Sequence, residues 1–385
     1  MRLSSDDLPM FFAAHHGALA EQLRAAAPTF EALELPEAHA DEGSRDRGAA
    51  DALARARLFE LVVPESRVID TRALCLAREM LGYASARADS IFAVQGLGTY
   101  AVASAGTDEQ RLELRAFRRG AAIAAFALTE PEAGSDVAAI ATRAERTSTG
   151  YKLTGEKLFI SNLGIADHAL VVASEDLARG TAGLSAFWVP LDAPGVVVKP
   201  MRAMAAHPIG ALSLHGAAVP AAARVGETGQ GMKLALQTLD AFRVSVGAAA
   251  VGMARRAMDE AIAFVTHRRQ FGKALADQPL VQAHLADMAV DLDAARLLVL
   301  RAAYLKDTTS ARVTTEVSIA KLGATEAASR VIDRAVQLFG GRGVMAGAIV
   351  EHLYRAVRPL RIYEGTSEIQ RTIIGRALVT GAAGS

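Results

Sequence analysis

Residues 126–136 read Phe-Ala-Leu-Thr-Glu-Pro-Glu-Ala-Gly-Ser-Asp, the pattern of a strand that runs into a loop. Pro131 ends the strand because it cannot donate to a ladder, and Gly134 permits a backbone angle closed to other residues. Ser135 and Asp136 then offer side-chain acceptors or caps. Such a loop can turn backbone N–H groups and small hydroxyls towards an electron-rich ring, or it can be an ordinary strand-ending turn. Local chemistry leaves both interpretations open.

This loop belongs to a β-rich region with helical sequence on both sides. Between about 121 and 228, short apolar runs are separated by Gly, Pro, Asp and Asn, which predicts an antiparallel sheet or barrel. No Gly-x-Gly-x-x-Gly follows a strand, so a Rossmann unit is not expected. Such runs, each a predicted strand, include residues 121–128, 151–160, 168–174, 184–190 and 196–200.

Sequence patterns typical of helices occur on both sides of this β-rich region. One helix is predicted over 72–86, another begins at Thr107, and a long one over about 313–339 ends at Gly340 in a left-handed C-cap. One more long helix has an apolar face made of Val281, Leu285, Met288, Leu292 and Val299. We therefore predict a mainly α fold with a central β-domain: a helical domain over 1–120, a β-domain (sheet or barrel) over 121–228 and a helical bundle over 229–385.

Composition restricts the partners and the compartment. Lys+Arg and Asp+Glu both total 42, so no basic surplus exists for a nucleic-acid backbone. The single cysteine, Cys75, lies in an apolar run and is expected to be a buried small hydrophobe in a reducing cytoplasm. We expect no signal peptide and no membrane span. The histidines show no His-x-x-x-His or Cys–His pattern, so no metal is expected.

Two further stretches carry candidate chemistry. Residues 157–162 read Lys-Leu-Phe-Ile-Ser-Asn, which puts Phe159 and Ser161 on one face of a strand, as an aromatic wall with a hydroxyl or as core and solvent-facing residues. Residues 361–371 read Arg-Ile-Tyr-Glu-Gly-Thr-Ser-Glu-Ile-Gln-Arg, and Ser367 with Gln370 predicts a capping box and a helix start. Glu364 then lies in the preceding loop, where partial desolvation raises the pKa of a carboxylate into the range of a general base. An exposed loop glutamate is the alternative.

These three stretches, in this order, resemble the acyl-CoA dehydrogenase family. Three segments between them also match: Arg-Arg-Gln-Phe-Gly at 268–272, Leu-Ala-Asp-Met at 285–288 and Gln-Leu-Phe-Gly-Gly-Arg-Gly at 337–343. The resemblance implies a helical domain, a β-barrel and a four-helix bundle, as a homotetramer (a dimer of dimers). It is weakest in the N-terminal third, and Pro279 stands where family members often have a flavin-contacting Gln.

The resemblance also implies roles for individual residues. Glu364 is expected to remove the α-proton of an acyl-CoA, because Phe242 occupies the other position where some members carry the base. Arg268 and Gln270 resemble the pair that reaches a neighbouring subunit's FAD pyrophosphate. The other expected cofactor contacts are Phe126, Leu128, Thr129, Gly134, Ser135, Phe159, Ile160, Ser161, Phe271, Gln337, Gly341, Thr366 and Glu368. The expected substrate contacts are Ser135, Asp240, Arg243, Tyr363 and Gly365.

The implied reaction is the α,β-dehydrogenation of an acyl thioester to the trans-2-enoyl-CoA, with FAD N5 taking the β-hydride and an electron-transfer flavoprotein reoxidising the flavin. Alternatives are a flavin oxidase or oxygenase of the same fold, a dehydrogenase of acyl-carrier-protein substrates, and a non-catalytic helical binding protein. Neutral charge and the presence of Glu364 disfavour the last of these.

Overall fold

The structure is a computed structural model that describes residue 5, residues 7–34 and residues 41–383, without the side chains of 381–383. The parts of the predicted outer domains at 1–4, 6, 35–40 and 384–385 lie outside the described residues. The chain divides into two compact units. The first comprises Met1–Pro36, Asp70–Asp89 and Arg243–Ser385, and the second comprises Glu37–Ile69 and Ser90–Phe242.

The helices before the sheet begin at the residues that cap them. One helix starts after Thr107, as the sequence predicts. The Thr107 hydroxyl accepts from Gln110 N–H, and the Gln110 side chain accepts from Thr107 N–H in return. The helix predicted over 72–86 is interrupted at Ser85, whose backbone is extended. The helices are α1 (Ala14–Ala32), α2 (Glu42–Arg55), α3 (Phe59–Val62), α4 (Thr71–Ala84), α5 (Ala86–Ala105) and α6 (Asp108–Arg119).

The second unit contains the sheet. Its strands are β1 (Ala124–Ala127), β2 (Arg143–Arg146), β3 (Gly150–Ser161), β4 (His168–Ser174), β5 (Leu184–Pro190), β6 (Val196–Pro200), β7 (Ile209–Pro220) and β8 (Arg224–Val225). The order is β6-β7-β3-β2-β4-β5-β8, and β1 pairs with β4. Most pairs are antiparallel, but β1 and β2 both run parallel to β4. The sheet is thus mostly antiparallel, as predicted, and the parallel pair of β1 arises because this strand enters beside one that is not its hairpin partner.

The helices after the sheet are α7 (Gly231–His267), α8 (Pro279–Thr308), α9 (Thr314–Phe339), α10 (Ile349–Val357) and α11 (Ser367–Ala383). The hairpin strands β9 (Arg269–Gln270) and β10 (Lys273–Ala274) follow α7. Met288, Leu292 and Val299 are buried on α8, which confirms its predicted face. Gly340 ends α9 with a φ of +58°, although its ψ of −142° lies outside the left-handed helical region that the sequence predicts.

Alanine and glycine let the helices of the first unit approach closely. A Cβ at Gly82 of α4 would lie 2.3 Å from the Ala249 carbonyl oxygen of α7, and a Cβ at Gly252 would lie 2.1 Å from the Glu79 carbonyl oxygen. Any side chain at either position would force these helices apart. The surrounding core contains many alanines and includes Cys75, which is buried as predicted.

The element order of helices, sheet and helices confirms the predicted fold class. The domain boundaries at 120/121 and 228/229 stay predictions. Within the described part of the chain, α7 is long and apolar enough to cross a membrane by length and composition, but 78% of its most apolar stretch is buried, as in a core helix.

Candidate active site

Glu364 lies in a strained turn immediately before α11. Its φ is +53°, and that of Gly365 is +92°. A positive φ is uncommon for a residue with a side chain and concentrates at functional sites. The loop position of Glu364, with a glycine that frees the backbone after it, is as predicted.

Three side chains hold the main chain of this turn. Arg243 Nε donates to the Glu364 carbonyl oxygen at 3.0 Å, and Lys321 Nζ donates to the Gly365 carbonyl oxygen at 2.8 Å. Gln370 Nε2 donates to both carbonyl oxygens, at 3.4 and 3.0 Å. These donors come from α7, α9 and α11, so the turn is fixed by tertiary contacts.

The cap of α11 differs from the prediction by one residue. Thr366 Oγ1 accepts from Ile369 N–H at 3.3 Å, whereas Ser367 Oγ donates to Glu326 at 2.7 Å. The predicted capping box of Ser367 with Gln370 is therefore wrong, because the Gln370 side chain bonds the turn instead. Glu368 is exposed in the first turn of the helix.

The Glu364 carboxylate is a desolvated group surrounded by cations. Its Oε2 is buried and has no hydrogen-bond partner among the described residues. Burial raises the pKa of Glu364 above its usual value, as the sequence predicts, although the positive charges of Arg78, Arg243 and Lys321 oppose the rise. The carboxylate is thus more basic than an exposed glutamate while three cations favour its ionised form.

A buried ion pair forms part of this environment. Arg78 donates from Nε and Nη2 to the two carboxylate oxygens of Asp89 at 2.9 and 2.7 Å, and from Nη1 to Ser245 Oγ at 3.1 Å. Arg78 and Lys321 were missed in the sequence. Their signal was a cation on an apolar helix face, since Lys321 lies among the buried residues of α9.

The loop after β1, in the second unit, is held by a buried glutamate. Glu130 accepts from Ala141 N–H at 2.7 Å, from the Thr142 hydroxyl at 2.5 Å and from Lys157 Nζ at 2.7 Å. Lys157 Nζ also donates to the Leu128 carbonyl oxygen at 3.2 Å. Burial acts to raise the pKa of Glu130, but the Lys157 charge and these hydrogen bonds hold it below its usual value.

Gly134 corrects one expectation about this loop. Its φ is not positive, and a Cβ would meet nothing within 4 Å, so this structure does not require a glycine there. Asp136 does act as a cap, because its Oδ1 accepts from Ala138 N–H at 3.2 Å. Ser135 is exposed. The residues that shape the loop are Glu130 and Lys157, which lie inside the quoted motifs but had been given no role.

Strand β3 presents an exposed aromatic ring beside the loop. Phe159 is 59% exposed, and it has a φ of +59° at an irregularity in the pairing of β3 with β7. Ile160 is buried in the sheet core, and Ser161 is half-buried. Leu158 N–H donates to the Thr129 carbonyl oxygen at 2.9 Å, which joins the strand to the loop. Phe126 and Leu128 pack in an adjacent apolar cluster.

A separate cavity of about 400 Å³ lies in the first unit and gathers three predicted residues, Arg268, Gln270 and Gly341. Its lining also contains Phe264 and Phe339, whose rings stack at 4.3 Å, together with Arg342, which sequence reasoning missed. Phe271 is 94% exposed at the hairpin tip, with a φ of +52°. Gln337 is exposed and is not among the cavity's lining residues.

The remaining predicted residues are placed as follows. Tyr363 directly precedes Glu364, and Arg243 contacts the turn through the Glu364 carbonyl oxygen. Asp240 is half-buried on α7 in the second unit. Pro279 is the first residue of α8, where a missing N–H costs nothing.

His15, His16 and Asp70 form a cluster of potential ligand atoms within 4.8 Å of one another. Asp70 accepts from the two rings at 2.8 and 3.1 Å. Because Ala13 N–H donates to His16 Nδ1, the proton of a neutral His16 is on Nε2, which faces Asp70. The contacts are those of a hydrogen-bonded helix cap.

The chain matches two family models: acyl-CoA dehydrogenase, middle domain, over residues 125–217, and acyl-CoA dehydrogenase, C-terminal domain, over residues 229–379. It is 35% identical to probable acyl-CoA dehydrogenase FadE25 of Mycobacterium tuberculosis (strain ATCC 25618 / H37Rv), over 91% of this chain and 98% of the relative.

Two more relatives bear on function. The caffeyl-CoA reductase-Etf complex subunit CarC of Acetobacterium woodii is 38% identical over 71% of this chain and 73% of its own. The structure of butyryl-CoA dehydrogenase from Megasphaera elsdenii superposes with a TM-score of 0.86 at 32% identity, covering 94% of this chain and 98% of that one.

Proposed function

This chain belongs to the acyl-CoA dehydrogenase family and is an oxidoreductase, and we propose that it oxidises an acyl-CoA thioester to the trans-2-enoyl-CoA with Glu364 as the base. The observation that carries the proposal is the Glu364 turn. The Glu364 carboxylate has a raised pKa and a buried oxygen without a hydrogen-bond partner among the described residues, and the main-chain carbonyls of its turn are held by Arg243, Lys321 and Gln370.

The chemistry requires a base of this kind. An α-C–H next to a thioester is weakly acidic, so its proton must pass to a positioned group whose pKa lies near the working pH. Glu364 would take this proton on its carboxylate, and its main-chain N–H would donate to the thioester oxygen, where negative charge develops. The strained turn aims side chain and main chain together, which an ordinary loop would not do.

FAD is the cofactor used in this family, and residues of this chain fit it. The exposed Phe159 offers an aromatic face beside the Glu130-stabilised loop. The cavity of Arg268, Gln270 and Gly341 joins a guanidinium, apt for phosphate oxygens, to an aromatic pair. When bound, the flavin would accept the β-hydrogen as a hydride and pass on the electrons.

We further propose that an electron-transfer flavoprotein accepts these electrons, that the protein works in the cytoplasm, and that it is a homotetramer with Arg268 reaching the partner's FAD. The relationship to a subunit of a reductase-Etf complex supports the first of these. The exposed apolar Phe271 and Leu280 support an oligomer. Division into a helical domain over 1–120, a β-domain over 121–228 and a bundle over 229–385 remains part of the proposal.

Anaerobic mixing of the FAD-loaded protein with straight, branched and cyclic acyl-CoAs tests the function, because flavin bleaching reports reduction directly. In Glu364→Gln the shape is retained and the base is lost, so we expect normal FAD content and a rate reduced by about 10²- to 10⁴-fold or more. Bleaching at a near-normal rate in that variant would remove Glu364 from the mechanism. A well-folded protein that takes up no FAD would reject the dehydrogenase altogether.

The alternatives give different results in the same assay. The flavin of an oxidase or oxygenase of this fold would be reoxidised rapidly when O₂ is admitted after the anaerobic bleaching. A dehydrogenase of acyl-carrier-protein substrates would bleach with the carrier-bound acyl group and only weakly with the CoA thioester. A binding protein would not bleach with either.

A further inference from the structure

Lys321 is a fully buried cation whose side-chain nitrogen contacts the Glu364 turn. It lies on the buried face of α9 with Ser318 and Thr325. Its Nζ donates to the Gly365 carbonyl oxygen at 2.8 Å. No carboxylate oxygen of the described residues lies within ion-pairing distance of it. A structural lysine would normally be exposed or paired with a carboxylate.

The position of Lys321 is therefore costly for folding. Burial lowers the pKa of the Lys321 ammonium to about 8, although the Glu364 charge acts in the opposite direction. A buried charge without an ionic partner destabilises the folded state, and a methionine of similar shape would avoid that cost. The stability of the fold does not explain why a lysine occupies this position, whereas its contact with the Glu364 turn does.

We propose that Lys321 is a positioning residue for the base: it holds the turn through the Gly365 carbonyl and keeps the Glu364 carboxylate ionised in its buried setting. The inference rests on the proposed function, in which Glu364 accepts the α-proton. The hydrogen bond fixes where the carboxylate is, and the positive charge stabilises the form that can accept a proton.

Other charges also act on this pair. Arg78 and Arg243 are permanent cations, so they supply a constant field over the working pH range. Lys321 differs from them because its pKa of about 8 lies close to neutrality. The charged or titratable groups around Glu364 and Lys321 are Arg78 of α4, Asp89 of α5, Arg243 of α7, Glu326 of α9, Tyr363 of the turn and Glu368 of α11.

Two substitutions separate the hydrogen bond from the charge. Lys321→Met removes both, and Lys321→Gln retains a donor without charge. Lys233→Met, at an exposed position on α7, is the matched control. The readouts are the melting temperature, the FAD content and the first-order rate of flavin reduction by butyryl-CoA, measured from about pH 5 to 9.

We expect Lys321→Met to bind FAD normally and to melt at or above the wild-type temperature. In its pH–rate profile, the acidic limb reports the ionisation of Glu364 and should move to higher pH by about one unit. The maximal rate of flavin reduction should fall about tenfold. Lys321→Gln should recover most of the maximal rate, while its acidic limb should stay displaced to higher pH. The proposal would be overturned if Lys321→Met had an unmoved acidic limb and an unchanged maximal rate. It would also be overturned if the loss of rate were explained by lower FAD content.

Parallel measurement of Glu364→Gln separates a failure of the base assignment from a failure of the role of Lys321 alone. If Glu364→Gln reduces the flavin at a near-normal rate, the base assignment fails and the role of Lys321 fails with it. If it is inactive while Lys321→Met has a wild-type pH profile, only the role of Lys321 is rejected.

Discussion

Arg243 Nε donates a hydrogen bond of 3.0 Å to the main-chain carbonyl oxygen of Glu364, across 121 residues of sequence. The Arg243 guanidinium thus contacts the backbone of the proposed base, and its charge also acts to lower the pKa of the Glu364 carboxylate. Arg243 therefore both positions Glu364 and favours the ionised form of its carboxylate. The sequence resemblance had assigned Arg243 to the substrate, and the contact with the turn is compatible with that role.

Arg243→Lys should separate these contributions, because lysine retains the charge and loses the Nε donor that meets the carbonyl. A hydrogen bond from a charged donor contributes about 1.5–3 kcal/mol, so we expect the rate of flavin reduction to fall at least about tenfold. The acidic limb of the pH profile should stay in place because the charge remains. Arg330→Lys, at an arginine that pairs with Asp291 on the surface, is the control. A wild-type rate in Arg243→Lys would contradict this assignment.

Lys157 should matter for FAD binding through the loop that it supports. Lys157→Met leaves Glu130 buried without its cation, and breaking a buried pair costs about 3–5 kcal/mol. We expect a lower melting temperature and weaker FAD retention on dilution, because the Leu128 carbonyl and the Glu130 carboxylate both lose the ammonium. Adding Glu130→Gln should restore part of the stability. If the double variant is less stable than Lys157→Met, the pair is not what holds the loop.

Adjacent arginines offer an internal control for the proposed phosphate contact. Arg268 lines the cavity in the first unit, whereas Arg269 Nη2 bonds the Gly272 carbonyl oxygen of its own hairpin. We expect Arg268→Met to lose FAD on gel filtration and Arg269→Met to retain it, because only the first removes a guanidinium from the cavity, where it can bind phosphate oxygens. If Arg268 acts in the partner subunit, FAD loss should track dissociation of the oligomer. A stable monomer that holds FAD as tightly as the oligomer would reject action in trans.

Local patterns predicted the fold better than they predicted the site. Strands β4, β5 and β6 match their predicted ends because each is an apolar run between turn residues. Strand β2 was missed because three of its four residues, Arg143, Glu145 and Arg146, are charged, and pairing with β3 creates it. Glu364 stood out because a glycine follows it, but Arg243 and Lys321 approach from other helices. Nothing in the adjacent sequence indicates which distant cation meets a given carbonyl.

Two glycines with nearly the same φ allow the Glu364 turn to be tested against a matched reference. Gly365 has a φ of +92° and Gly347 a φ of +90°. An added Cβ at Gly347 would meet nothing within 4 Å, whereas one at Gly365 would lie 2.5 Å from Gln370 Nε2. Alanine should therefore cost about 1–3 kcal/mol of backbone strain at either site, and at Gly365 it should also displace the amide that holds the Glu364 and Gly365 carbonyls.

We expect Gly347→Ala to lower the melting temperature and leave flavin reduction unchanged. Gly365→Ala should lower the melting temperature at least as much and slow flavin reduction by about a hundredfold, because a small misplacement of a catalytic group has an effect of that order. FAD content, measured by absorbance, should be the same in both variants. Equal reduction rates in two variants with matched melting temperatures would mean that the Glu364 turn tolerates displacement, and the positioning argument for Gln370, Arg243 and Lys321 would fail together.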